Sequence, residues 1–116
     1  MKAIAALLLV AAIGCHKDEP PRAAPHGLPA EEVQRAHEAC DAYVAKACGC
    51  TAPAARDHCM RAKALPPALD LALATAVNPG DSDAAREISA RAQVNVRETV
   101  KQCVEEIAKL PALGCP

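Results

Sequence analysis

The residues best equipped for chemistry sit near the middle of the chain: Cys48-Gly49-Cys50, followed by Asp57-His58-Cys59-Met60. Thiolate and thioether sulfur together favour copper(I), and a Cys-x-Cys pair can act as a redox centre. Cys48, Cys50, Cys59 and Met60 therefore form the candidate set for a periplasmic thiol-redox or soft-metal site. Three features weigh against that use. The pair lacks the Cys-x-x-Cys spacing of zinc ribbons and thioredoxin-like centres, no strand pattern surrounds it, and an oxidising compartment would consume the thiols first. Asp57-His58-Cys59 does not set a nucleophile against a base, because consecutive helical residues diverge by about 100°. His37 reads as a polar flank, and Glu31-Glu32 and Glu105-Glu106 as solvated helix faces. No Ser/His/Asp arrangement or phosphate-binding Gly loop accompanies them, so no enzymatic activity and no cofactor are expected.

Composition narrows the field further. The chain has 116 residues, one domain's worth at most, of which Ala supplies 28. Phe and Trp are absent and Tyr43 is the only aromatic residue, so the platforms on which sugars and bases stack are missing. A net charge of −1 advertises no basic stripe for nucleic acid. Ala in place of β-branched and aromatic residues argues against a sheet.

Residues 1 to 15 carry an address. Met1-Lys2 is followed by eleven apolar residues, Ala3 to Ile13, then Gly14-Cys15. A positive start and a short apolar run make a secretory signal. Eleven residues rise only about 16 Å as a helix, too short for a ~30 Å hydrocarbon layer. The closing residues Ala12-Ile13-Gly14-Cys15 resemble the lipobox of bacterial lipoproteins, with Ala12 where Leu is usual. That resemblance implies cleavage after Gly14, a diacylglycerol thioether on Cys15 and an acyl chain on the new amino group. Residues 1–14 are then a signal peptide. The mature chain is expected in the bacterial cell envelope, anchored by lipid to a membrane and facing the periplasm or cell surface.

Cysteine arithmetic supports this assignment. Seven is odd, and setting Cys15 aside leaves Cys40, Cys48, Cys50, Cys59, Cys103 and Cys115, an even set suited to a disulfide framework.

Residues 15–30 hold four prolines and almost nothing large and apolar, which reads as a disordered tether. From Glu31 to Pro116 the spacing turns helical. Val33, Ala36, Cys40, Tyr43, Val44 and Ala47 recur at three and four, and Gly49 offers a left-handed cap. Thr51 is a candidate N-cap for a second helix from about Pro53 to Leu65. Pro66-Pro67 should break it before a short continuation, Ala68 to Val77, with Leu69, Leu71, Leu73 and Val77 apolar. Asn78-Pro79-Gly80-Asp81 is a turn and Ser82 caps a long third helix, about Asp83 to Leu110. Its expected buried stripe is Ile88, Ala92, Val96, Val100, Cys103, Ile107 and Leu110, with Arg97, Lys101, Glu105 and Lys109 on the wet side. The predicted fold is all-α: an up-down-up three-helix bundle, its second helix broken at Pro66-Pro67.

Residues 31–116 contain only 17 large apolar side chains, too thin a core for burial alone. Disulfides are needed, and helix geometry ranks their pairings. Cys48, Cys50, Cys59 and Cys115 gather at one pole of an up-down-up bundle, while Cys40 and Cys103 lie at similar heights on neighbouring helices. Cys40–Cys103, Cys48–Cys59 and Cys50–Cys115 are preferred, with Cys40–Cys59 the alternative for the first pair. The expected role is a non-catalytic structural or protein-interaction module whose partners are the membrane, through its lipid, and a protein not specified by the sequence.

Overall fold

A computed structural model describes Ala24 and residues 26–116. Residues 1–23 and Pro25, and with them the expected signal peptide, Cys15 and most of the expected tether, lie outside the described residues. Three α-helices account for most of the rest: α1 Ala30–Gly49, α2 Arg56–Ala76 and α3 Asp83–Lys109. They run up, down and up, and each packs on the other two. Among the described residues there is no strand, and no helix is long and apolar enough to cross a membrane.

Pro29 serves as the N-cap of α1 with extended backbone, and Glu31 and Glu32 in the first turn complement the helix dipole. Ala36, Cys40, Tyr43 and Ala47 form its buried stripe. The expected left-handed Gly cap is absent: Gly49 stays helical, and Cys50 leaves the helix in an extended conformation. The neighbouring Cys48 and Cys50 are each tied to a different partner, so cross-links set this helix end.

Thr51 caps nothing. Ala52 precedes a 3-10 turn, Pro53–Ala55, which leads directly into α2. The expected break at Pro66-Pro67 does not occur, for α2 continues from Arg56 to Ala76 with both prolines inside it. Each proline removes an intrahelical donor, a local cost of up to about 3 kcal/mol. Tertiary packing opposes that cost. Ala55, Ala62, Leu69 and Ala76 are all buried at intervals of seven, with Leu73 in the same seam. Only an unbroken helix keeps that seam on one face. Leu71 does not belong to it. Two residues from both Leu69 and Leu73, it lies on the far side of the helix and is 77% exposed.

Ser82 caps α3, its hydroxyl accepting from the Ala85 N–H at 3.1 Å. The buried face of α3 begins one residue later than expected. Ile88 is exposed, while Ser89 and Gln93 are buried with Ala92, Val96 and Cys103. Val100 and Ile107 are half-buried. The two buried polar residues hold the chain's turns in place. Ser89 donates to the Ala76 carbonyl at 3.4 Å. The Gln93 amide grips Ala24 from both sides, accepting from its N–H at 2.7 Å and donating to its carbonyl at 2.9 Å. Arg97, expected on the wet side, instead links α3 to α1 through Glu32 at 2.8 Å.

The Gln93 clamp also corrects the tether, because the last residues assigned to it belong to the domain. Leu28 is buried and its N–H donates to the Ala76 carbonyl at 3.1 Å. Gly27 has φ +85, and a Cβ there would collide with the Val77 carbonyl oxygen, so only glycine fits. At the other end α3 gives way to a 3-10 turn, Leu110–Leu113. Gly114 then takes a left-handed conformation, and the Cys115 N–H donates to the Leu110 carbonyl at 3.2 Å, aiming the last cysteine back at the bundle.

Replacing both prolines should strengthen α2. P66A/P67A is expected to add about 1–3 kcal/mol of stability, read as a higher urea midpoint at an unchanged m-value. A lower midpoint would show that the prolines stabilise α2.

Candidate functional site

The chemistry-bearing residues converge on the pole where α1 ends and α2 begins. Three bridges organise it. Cys40–Cys103 joins α1 to α3 with both residues fully buried and Cα atoms 5.1 Å apart. Cys48–Cys59 joins the end of α1 to the first turn of α2 at 4.6 Å, and Cys50–Cys115 ties in the C-terminus at 5.4 Å. These separations lie within the range a disulfide spans, and the pairs are the ones helix heights favour over Cys40–Cys59.

The bridges occupy every sulfur that the copper(I) set needs from cysteine. Holding a metal with Cys48, Cys50 and Cys59 would require two bridges to be reduced. Met60, its thioether partner, is 72% exposed and lies with Asp57 and Arg61 at a shallow depression. Among the described residues, no group of three or more His, Cys, Asp and Glu is placed to hold a metal ion. A groove of about 370 Å³ runs beside the Cys48–Cys59 and Cys50–Cys115 bridges, with Arg56 on its wall.

Beneath the bridges lies a polar network that spacing alone did not single out. The Tyr43 hydroxyl from α1 sits 3.1 Å from His58 Nδ1 of α2. The same nitrogen lies 3.4 Å from Glu106 Oε2 of α3, and Lys109 Nζ donates to the other Glu106 oxygen at 2.5 Å. The Tyr43 ring meets the His58 ring edge-on at 82°. With its proton on Nδ1 the imidazole donates towards Glu106, and without it accepts from Tyr43. Four side chains from three helices thereby satisfy one another in a confined space.

The titration of Tyr43, Glu106 and Lys109 follows from these contacts. Burial raises the Tyr43 pKa above 10.0, and the Glu106 charge adds to the effect. The hydrogen bond from Lys109 holds Glu106 below its ordinary 4.5, helped by the charges of Lys109, His58 and Arg61 and opposed by burial. The same bond raises Lys109. Glu106 is thus no solvated face, since its side chain is only 17% exposed. A signal for this existed in the sequence: Glu106 lies three residues after Cys103, on the core-facing side of α3. His37 stands apart from the network. It faces Asp70 of α2 at 3.7 Å, and both are well exposed.

Two further grooves flank α3. One of about 340 Å³ against α1 is lined by Glu31, Glu32, Arg35, Val96, Arg97 and Val100. The other, about 560 Å³ against α2, includes the exposed Leu71 and Ile88. Compared with protein-family models, curated proteins and solved structures, the chain matches none of them.

Glu106 gives the network a pH signature. Its folded-state pKa is depressed, so between that value and the unfolded value the unfolded chain binds more protons. Its stabilisation is present above the unfolded pKa and fades as pH falls through the folded one. Glu106→Gln should lower stability at neutral pH by about 1–3 kcal/mol and flatten the loss below pH ~4.5. Urea midpoints of both proteins between acid and neutral pH test this, and parallel curves would contradict it.

Proposed function

We propose that this chain is a lipid-anchored protein of the bacterial cell envelope, whose helical domain is a non-catalytic structural or protein-interaction module. One observation carries the proposal. The six cysteines of the domain close among themselves, so no cysteine of the chain remains to pair with Cys15. A lone cysteine directly after Ala12-Ile13-Gly14 is what lipid attachment to a lipobox requires. Three disulfides also suit an oxidising compartment such as the periplasm or cell surface.

The geometry of entry supports a defined presentation. The chain joins the domain at the end where α2 finishes and α3 starts, through Leu28 on Ala76 and Ala24 on Gln93. The bridges Cys48–Cys59 and Cys50–Cys115 lie at the opposite end of α1. Its 20 residues rise about 30 Å, so the chain enters the domain at the end away from these two bridges. A protein partner would meet the far pole or the exposed flanks of α2 and α3. Neither nucleic acid nor a cofactor enters this proposal.

Intact mass of protein extracted from native membranes tests the anchor. The expected species begins at Cys15, carries a diacylglycerol and an N-acyl chain, and takes up alkylating reagent at six cysteines only after reduction. A chain retaining residues 1–14, or starting at an unmodified Cys15, would contradict the proposal.

A further inference from the structure

We propose that the Cys48–Cys59 bridge is a thiol–disulfide exchange site for a soluble small-molecule thiol, while Cys40–Cys103 and Cys50–Cys115 stay closed. Access sets it apart first. Cys48 is exposed, whereas Cys50 and Cys59 are half-buried, Cys115 is 4% exposed, and Cys40 and Cys103 are fully buried. Exchange needs a thiolate to approach a sulfur in line with the S–S bond, and the groove of about 370 Å³ beside Cys48 provides the approach.

The leaving group is the second distinction. Attack at Cys48 expels Cys59, which lies in the first turn of α2. There the helix dipole favours a thiolate, and Arg56 lines the same groove. Asp57 is the acidic residue of that turn and acts against it. Attack at Cys50 would instead have to expel the buried Cys115.

The third distinction is what opening does to the fold. Cys48–Cys59 closes a sequence separation of 11, against 63 and 65 for the other two. The shortest loop constrains the unfolded chain least, so its opening removes the least stability. The remaining bridges keep α1 tied to α3 and the C-terminus tied to Cys50.

The chemistry balances with the thiol as reductant. A first thiolate forms a mixed disulfide with Cys48 and releases Cys59 as thiolate. A second thiolate attacks the sulfur of the bound thiol, releasing the Cys48 thiolate and the oxidised dimer of the reagent. Two thiols are oxidised and one protein disulfide is reduced. The exchange does not depend on the lipid anchor.

Reduced glutathione is the probe. The oxidised full-length protein is incubated with it in native buffer, quenched with an alkylating reagent at intervals and mapped by mass. Label on Cys48 and Cys59, with glutathione on Cys48, is expected about tenfold sooner than label on the other four cysteines. Arg56→Gln should slow this opening severalfold while leaving the urea midpoint of the oxidised protein unchanged. Simultaneous labelling of all six cysteines, or first labelling at Cys50 and Cys115, would overturn the proposal. A wild-type opening rate in Arg56→Gln would overturn the role given to that residue.

Discussion

Of the fifteen buried apolar residues among those described, six are alanine, three are cysteine and one is Tyr43, the only Phe, Trp or Tyr of the chain. A buried methyl contributes less than a kilocalorie or so, and Leu28, Leu69, Leu73, Leu110 and Val96 are few to hold three helices together. Cross-links meet that constraint. In the chain-entropy limit the two long-loop bridges are worth about 4 kcal/mol each and the short one about 3 kcal/mol. Small side chains in turn let the helices approach closely enough for Cys40 and Cys103 to meet across the core. The thin core and the bridges are thus one design, in which each requires the other.

Polar groups complete what apolar packing leaves undone. Tyr43 brings a hydroxyl into the core, where His58 of α2 is its partner, and His58 in turn faces Glu106, which Lys109 holds on α3. At the opposite end, Gln93 and Ser89 bond to backbone of the segment before α1 and of the end of α2. Both ends of the bundle are closed by hydrogen bonds between elements, because unpaired buried polar groups would be costly. The middle is closed by Cys40–Cys103.

Helix number, order and approximate ends were legible in the sequence because apolar spacing, Ser82, Pro29 and the turn at Asn78–Asp81 all act locally. The favoured cysteine pairs followed from comparing heights on antiparallel helices. What was not legible depends on contacts distant in sequence. Pro66 and Pro67 read as a break by every local rule, and only the seven-residue seam from Ala55 to Ala76 overrides them. Gln93 and Ser89 displaced Ile88 from the core through hydrogen bonds that leave no periodic trace. Leu28 and Gly27 read as tether because their partners, Ala76 and Val77, lie about fifty residues away. Of the candidate site, Cys48, Cys50 and Cys59 were visible from spacing. Tyr43 read only as an apolar core residue and Glu106 as part of a solvated face, because the His58 that joins them belongs to another helix and its approach leaves no trace in local spacing.

The central claim is that cross-links, more than buried apolar area, hold this fold together. The direct test compares the oxidised protein with the fully reduced and alkylated chain by circular dichroism during thermal unfolding. The account predicts that the alkylated chain loses most helical signal and shows no cooperative transition. A cooperative transition within a few degrees of the oxidised protein would show instead that the alanine-rich core is sufficient, and would contradict it.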